Sequence, residues 1–268
     1  MKFIEKIDKK YRFIAYSIFI TIYAYFASIV FWNSSFYMRA GLGAVLLVVS
    51  VLFIHYPNVS PKNFAMATIL PSYLLGSLLL ALKYFPNLSI FFKSVLIGGS
   101  ALLFYVTALI DNVFLVVEDR QETIPLYRVA VPWSQILLVI ISIPLYAGIF
   151  KIPTYSLLQV ITAGLFAFVL NLYQVWTLRF EDRVAKVGVG ENTLLSALVA
   201  FFVVAVALGI SFLSTESFLR GLATAAALMF GLFYTNSFLR NTINQKLLAE
   251  YFIILILFVF LVLVFPAI

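Results

Sequence analysis

Residues 1–32 read MKFIEKIDKKYR followed by FIAYSIFITIYAYFASIVFW. The opening segment is polar and carries Lys2, Lys6, Lys9, Lys10 and Arg12, whereas Phe13 to Trp32 is a run of twenty residues without a single charge. A helix of that length rises roughly 30 Å, which matches the hydrocarbon core of a bilayer. A cleavable signal peptide has an apolar region of only about 7–15 residues and ends in a small-x-small site. This run is longer and ends in Val30-Phe31-Trp32, so the expected outcome is an uncleaved anchor and first spanning helix.

The remainder of the chain repeats that pattern. Apolar runs at Ala40 to Tyr56, Phe64 to Phe85, Phe91 to Val113, Trp133 to Phe150, Tyr155 to Leu178, Leu194 to Leu213, Phe218 to Phe238 and Leu247 to Ala267 predict eight further spans. Of the 268 residues, 64% are hydrophobic and 11% charged. Ordinary soluble domains are about 45–50% apolar and 25% charged, so a water-soluble fold is excluded. The expected fold is all-α: a single polytopic transmembrane helix bundle over residues 1–268, with about nine spans. The short second run and the Pro144-containing fifth leave room for eight to ten.

Basic residues orient such a bundle, because cytosolic loops carry the excess of Lys and Arg. With the N-terminus inside, thirteen of the eighteen fall on the cytosolic side, and Arg39, Lys83, Lys93, Lys151 and Arg220 fall outside. The N-terminus is therefore expected in the cytosol and the C-terminus outside, in a multi-pass protein of the cell membrane. The net charge of +7 follows from this asymmetry. No soluble basic domain exists to present a nucleic-acid patch, so the expected environment is the lipid bilayer, with a membrane or cytosolic protein as the further candidate partner.

Several chemistries drop out. The chain has no cysteine, which removes disulfides, thiolate metal sites and cysteine nucleophiles. His55 is the only histidine, too few for a His-based zinc site, and its place before Tyr56-Pro57 at a helix end predicts an interfacial side chain. Ionisable groups are nearly missing from the middle of the spans, which disfavours an ion-coupled pump. Asn171, Gln174 and Gln159 in the sixth span are expected to make interhelical hydrogen bonds.

The carboxylates are concentrated. Asp111, Glu118, Asp119 and Glu122 fall at or beyond the inner end of the fourth span, and Glu181, Asp182 and Glu191 in the loop after the sixth. Val117-Glu118-Asp119-Arg120 is echoed by Phe180-Glu181-Asp182-Arg183, an arrangement consistent either with a duplicated two-helix unit or with chance recurrence at a juxtamembrane position. Carboxylates beside arginine at the lipid–water boundary suit an anionic headgroup, with Mg²⁺ entering only if that headgroup is a phosphate. Asp111, Glu118, Asp119, Arg120, Arg179, Glu181, Asp182 and Arg183 are the candidate ligand-binding residues; no catalytic residue or firm metal set emerges.

Asp111-Asn112-Val113-Phe114 with Glu118-Asp119-Arg120, and Glu181-Asp182-Arg183 with Gly188-Val189-Gly190, resemble the acidic cytosolic motifs of UbiA-type intramembrane prenyltransferases. That resemblance implies nine spans and Mg²⁺-diphosphate chelation by the acidic side chains. It covers two short loops: the family's motifs follow the second and sixth helices, and its Asn-Asp-x-x-Asp-x-x-x-Asp pattern is missing here.

Two smaller features complete the reading. Gly188 to Thr193 fits neither phosphate-loop pattern, and Asn192 or Thr193 is expected to cap the seventh helix. Ala223, Ala227 and Gly231 form a small-residue stripe that predicts a close helix contact, with Leu228 on a less demanding face. The functional expectation is a polytopic membrane protein of unspecified activity that handles an anionic lipid or lipid-linked substrate at its cytosolic face. The alternatives are a non-catalytic subunit or scaffold that docks a partner protein, a UbiA-like prenyltransferase, and a lipid or small-molecule transporter.

Overall fold

The computed structural model describes residues 8–29, 36–85, 87–181 and 184–265, and the chain is all-α. Among the described residues there are nine helices: α1 Lys9–Ile29, α2 Phe36–His55, α3 Phe64–Tyr84, α4 Ile90–Arg120, α5 Tyr127–Ile149, α6 Ser156–Leu178, α7 Val189–Ser211, α8 Ser217–Leu239 and α9 Gln245–Val264. Eight of them, α2 to α9, are long and apolar enough to cross a membrane. The other, α1, has Lys9, Lys10 and Arg12 in its first turn. The helices coincide with the nine apolar runs; the run ends at Trp32 and Ala267 lie outside the described residues. Pro71 in α3 and Pro144 in α5 leave their helices unbroken.

The chain divides into two compact units, Met1–Ser134 and Gln135–Ile268, with the boundary inside α5. In the first, α1 packs against α2, α3 and α4, while α2 meets α3 and α3 meets α4. Side-chain contacts fix the register of α1 against α4. Lys9 Nζ donates to Asn112 Oδ1 at 3.0 Å, and seven residues further along α1 the Tyr16 ring meets Phe104 edge-on at 6.0 Å. The two helices are therefore antiparallel. Arg120 ends α4 eight residues past Asn112, so this 31-residue helix overshoots the start of α1 by roughly 12 Å.

In the second unit α6 packs on α7 and α8, and α8 also on α7 and α9. Glycines set the closest approaches. A Cβ at Gly231 would lie 2.6 Å from Val199 Cγ1, and one at Gly221 would lie 2.4 Å from the main-chain nitrogen of Ala147. Ala223 and Ala227 are fully buried beside them, as a small-residue seam requires. Leu228 does not lie on an undemanding face: it too is fully buried, because α8 meets neighbours on several sides.

Three arginines close helix ends that the bilayer would leave unsatisfied, and each is the fourth residue of its own helix. Arg12 donates to the carbonyl oxygens of Tyr56 (2.9 Å) and Phe53 (3.4 Å) at the end of α2. Arg39 donates to the Ala27 carbonyl near the end of α1, and Arg220 to the Leu213 carbonyl just after α7, at 2.7 Å. A cation near the N-terminus of its own helix is unfavourable, but the same charge at the C-terminus of a neighbour satisfies free carbonyls and the negative end of the dipole.

Candidate functional site

The acidic residues of the first unit are not on a loop. The helical hydrogen-bond pattern of α4 continues through Glu118, Asp119 and Arg120 and stops only at Gln121, which adopts left-handed geometry with φ 54°. The overshoot of α4 carries these charges beyond the start of α1, so they are solvated without breaking the helix. Asp119 and Arg120 are exposed and Glu118 is half-buried.

Asp111 lies elsewhere. It is fully buried inside α4, near enough to Tyr16 of α1 for electrostatic interaction, and does not join the exposed acidic turn. His55 is corrected in the same direction. The sequence places it at the interface, but Phe13 covers its ring at a centroid distance of 5.8 Å, and it has no exposed surface. That burial is a consequence of α1 crossing the end of α2, which periodicity within α2 does not report.

In the second unit Glu181 has a specific partner: its Oε2 accepts from Arg240 Nη2 at 2.7 Å. The same loop is tied to the end of α8 by Ala185 N–H donating to the Leu239 carbonyl at 2.8 Å. Arg179 is exposed, with its guanidinium 4.7 Å from the Phe180 ring centroid. Asp182 and Arg183 lie outside the described residues. Glu118 is thus helical while Glu181 follows a helix that ends at Leu178, so the two echoing stretches occupy different structural positions.

The cap of α7 also differs from the sequence expectation. Gly188 is the N-cap, and Glu191 Oε2 accepts from its N–H at 3.1 Å. Asn192 and Thr193 lie within the helix, where Thr193 Oγ1 donates to the Val189 carbonyl at 2.9 Å. A negative side chain in the first turn complements the positive helix end.

Periodic arguments missed an open apolar groove of about 300 Å³ between α4 and α5. Val106, Leu109, Ile110 and Val113 form one wall, and Leu126, Val129, Ala130 and Trp133 the other. Both sets have the i, i+3, i+4, i+7 spacing of a single helix face. Arg128, exposed in the first turn of α5, sits beside the groove residue Val129, and Arg120 ends the opposite wall's helix. The signal was present in the spacing, but a lipid-facing stripe and a groove wall read alike until a second helix is set beside it. No cluster of three or more His, Asp or Glu suited to a metal occurs among the described residues.

These features define a polytopic α-helical membrane protein. Compared with known protein families, curated proteins and solved structures, the chain matches none.

Proposed function

We propose that the chain handles an amphiphile with an anionic headgroup at the end of its first unit, with an acyl or isoprenoid tail in the α4–α5 groove. The observation that carries this reading is the groove itself: two apolar walls running toward a helix end with exposed arginines at 120 and 128. An apolar channel with charged groups at one end fits a molecule with that polarity, and arginine holds phosphate or carboxylate through paired hydrogen bonds. Glu118 and Asp119 make the same turn able to share a divalent cation with a phosphate headgroup. We place this face in the cytosol on the strength of the Lys/Arg asymmetry. The Glu181–Arg240 pair supports a structural role for the second acidic stretch.

The test is native mass spectrometry of the purified chain with phosphatidylglycerol or phosphatidylcholine, with and without Mg²⁺. Arg120→Gln with Arg128→Gln should weaken phosphatidylglycerol binding by about 10–100-fold, as the loss of charge-assisted bonds implies. Val129→Trp should weaken both lipids by filling the groove. Mg²⁺-dependent binding lost in Glu118→Gln/Asp119→Asn would assign the metal to that turn. Unchanged binding in both the arginine and the groove variants would refute the proposal and leave the docking of a protein partner as the better reading.

A further inference from the structure

Several buried hydroxyls in this protein satisfy themselves. Thr107, Ser134, Ser142 and Thr177 each donate to a carbonyl three residues back in their own helix. That is how a polar side chain survives inside a lipid-embedded helix. A layer between α6, α7 and α8 behaves differently. Asn171 and Gln174 of α6, Ser196 of α7 and Thr235 of α8 are all fully buried. Asn171 Nδ2 donates to Ser196 Oγ at 3.1 Å, and Gln174 Nε2 donates to the Leu232 carbonyl at 2.5 Å. These two bonds use one N–H of each amide and neither side-chain carbonyl: Asn171 Oδ1, Gln174 Oε1 and the Thr235 hydroxyl are buried with no hydrogen-bond partner among the described residues. The Gln174 amide cannot be turned over to repair this, because a carbonyl accepts only from its NH₂.

Helix register places the orphaned oxygens within about one turn of one another. Asn171 opposite Ser196 sets α6 against α7, Gly231 opposite Val199 sets α7 against α8, and this second register brings Thr235 opposite Ser196. Gln174 and Thr235 each stand four residues before the last residue of their helices, Leu178 and Leu239. The negative ends of two helix dipoles therefore lie about one turn away. The opposing positive end, that of α7, is answered by Glu191, and the Arg240 charge just beyond α8 is held by Glu181. Among the described residues, no charged side chain belongs to the layer.

We propose that this layer binds a dehydrated monovalent cation of the Na⁺ or K⁺ type. Neutral amide and hydroxyl oxygens can replace the hydration shell of such an ion, whereas Mg²⁺ or Ca²⁺ would draw on carboxylates that the layer lacks. The inference is independent of the lipid reading for the first unit.

The experiment follows thermal unfolding of the purified full chain in NaCl, KCl or LiCl against choline chloride at equal ionic strength, together with direct binding of ²²Na⁺. A resident ion stabilises the protein increasingly with the logarithm of its concentration. Thr235→Val, which keeps the side-chain shape, and Gln174→Leu should raise the ion's apparent Kd by at least about tenfold through the loss of one oxygen ligand. Should Gln174→Leu fail to fold, Thr235→Val and the isotope measurement on the parent chain still decide the matter. Equal stability in choline and in every alkali salt, with no isotope bound, would mean that the oxygens hold water only. Ion-specific stabilisation that persists unchanged in Thr235→Val would place the ion elsewhere; either result overturns the proposal.

Discussion

Substituting Gly221 by alanine is the most demanding test of the packing in the second unit. A Cβ added there would stand 2.4 Å from Ala147 N, 2.6 Å from its Cα and 2.9 Å from its Cβ. Comfortable contacts between such atoms are about 3.5–4.0 Å, so α8 and α5 would have to separate locally by roughly 1 Å. The obstructing atoms are mostly main chain, and no rotamer change relieves the clash. Overpacking of this kind costs about 1–3 kcal/mol. Alanine also gains up to ~1 kcal/mol of helix propensity over glycine, a term that must be cancelled. Gly99→Ala supplies the cancellation, since Gly99 lies inside α4 and its added Cβ meets nothing within 4 Å. The difference in unfolding free energy between the two variants, measured by thermal denaturation in a mild detergent, should therefore be about 1–3 kcal/mol, with Gly221→Ala the less stable. Equal shifts in the two variants would show that α5 and α8 do not approach as described.

Leu228→Ala should cost about 2–5 kcal/mol by opening a cavity, and Gly231→Leu should also destabilise by driving into Val199; a tolerated Leu228→Ala in the same assay would contradict the burial of that face. Arg12→Met should lose about 1.5–3 kcal/mol by freeing the carbonyls at the end of α2, while Lys10→Met, at an exposed position one residue into α1, should leave the melting temperature unchanged. Glu181→Gln should cost no more than about 1 kcal/mol, because both partners of its ion pair remain partly exposed at 27% and 33%. Reporter fusions after Glu122 and Lys186 should read as cytosolic and one after Lys151 as external; a cytosolic reading at Lys151 would invert α5 and α6.

The solvent and element list of this protein were legible in its residues because both depend on local quantities. Apolar runs of about twenty residues specify helices long enough to cross a bilayer whatever lies beside them, as α2 to α9 are, and these runs are bounded by charge or by turn residues. Ends were less legible. The α4 helix passes through Glu118, Asp119 and Arg120 because it protrudes past the start of α1, and hydropathy stops counting at the first charges. The role of individual basic residues was not legible at all. Arg39 and Arg220 count against the cytosolic majority in the sequence, and only the structure shows that they cap the ends of α1 and α7. Lys83, another of that minority, lies 3.9 Å from the centroid of the Phe36 ring.

Burial was decided wholly by tertiary contact. His55, Asp111 and Leu228 each sit in a pattern that permits either exposure or burial, and it is α1 crossing α2 and α4, and α8 crowded by its neighbours, that removes their surface. The same holds for the polar layer. Asn171, Gln174, Ser196 and Thr235 are separated by up to 64 residues in the chain, and nothing in that spacing brings them together between three helices. A sequence of this composition determines that helices cross a bilayer, because transfer of apolar side chains into lipid depends on each segment alone. Which of their polar atoms are left without partners depends on how neighbouring helices are registered, and that is a property of the packed structure.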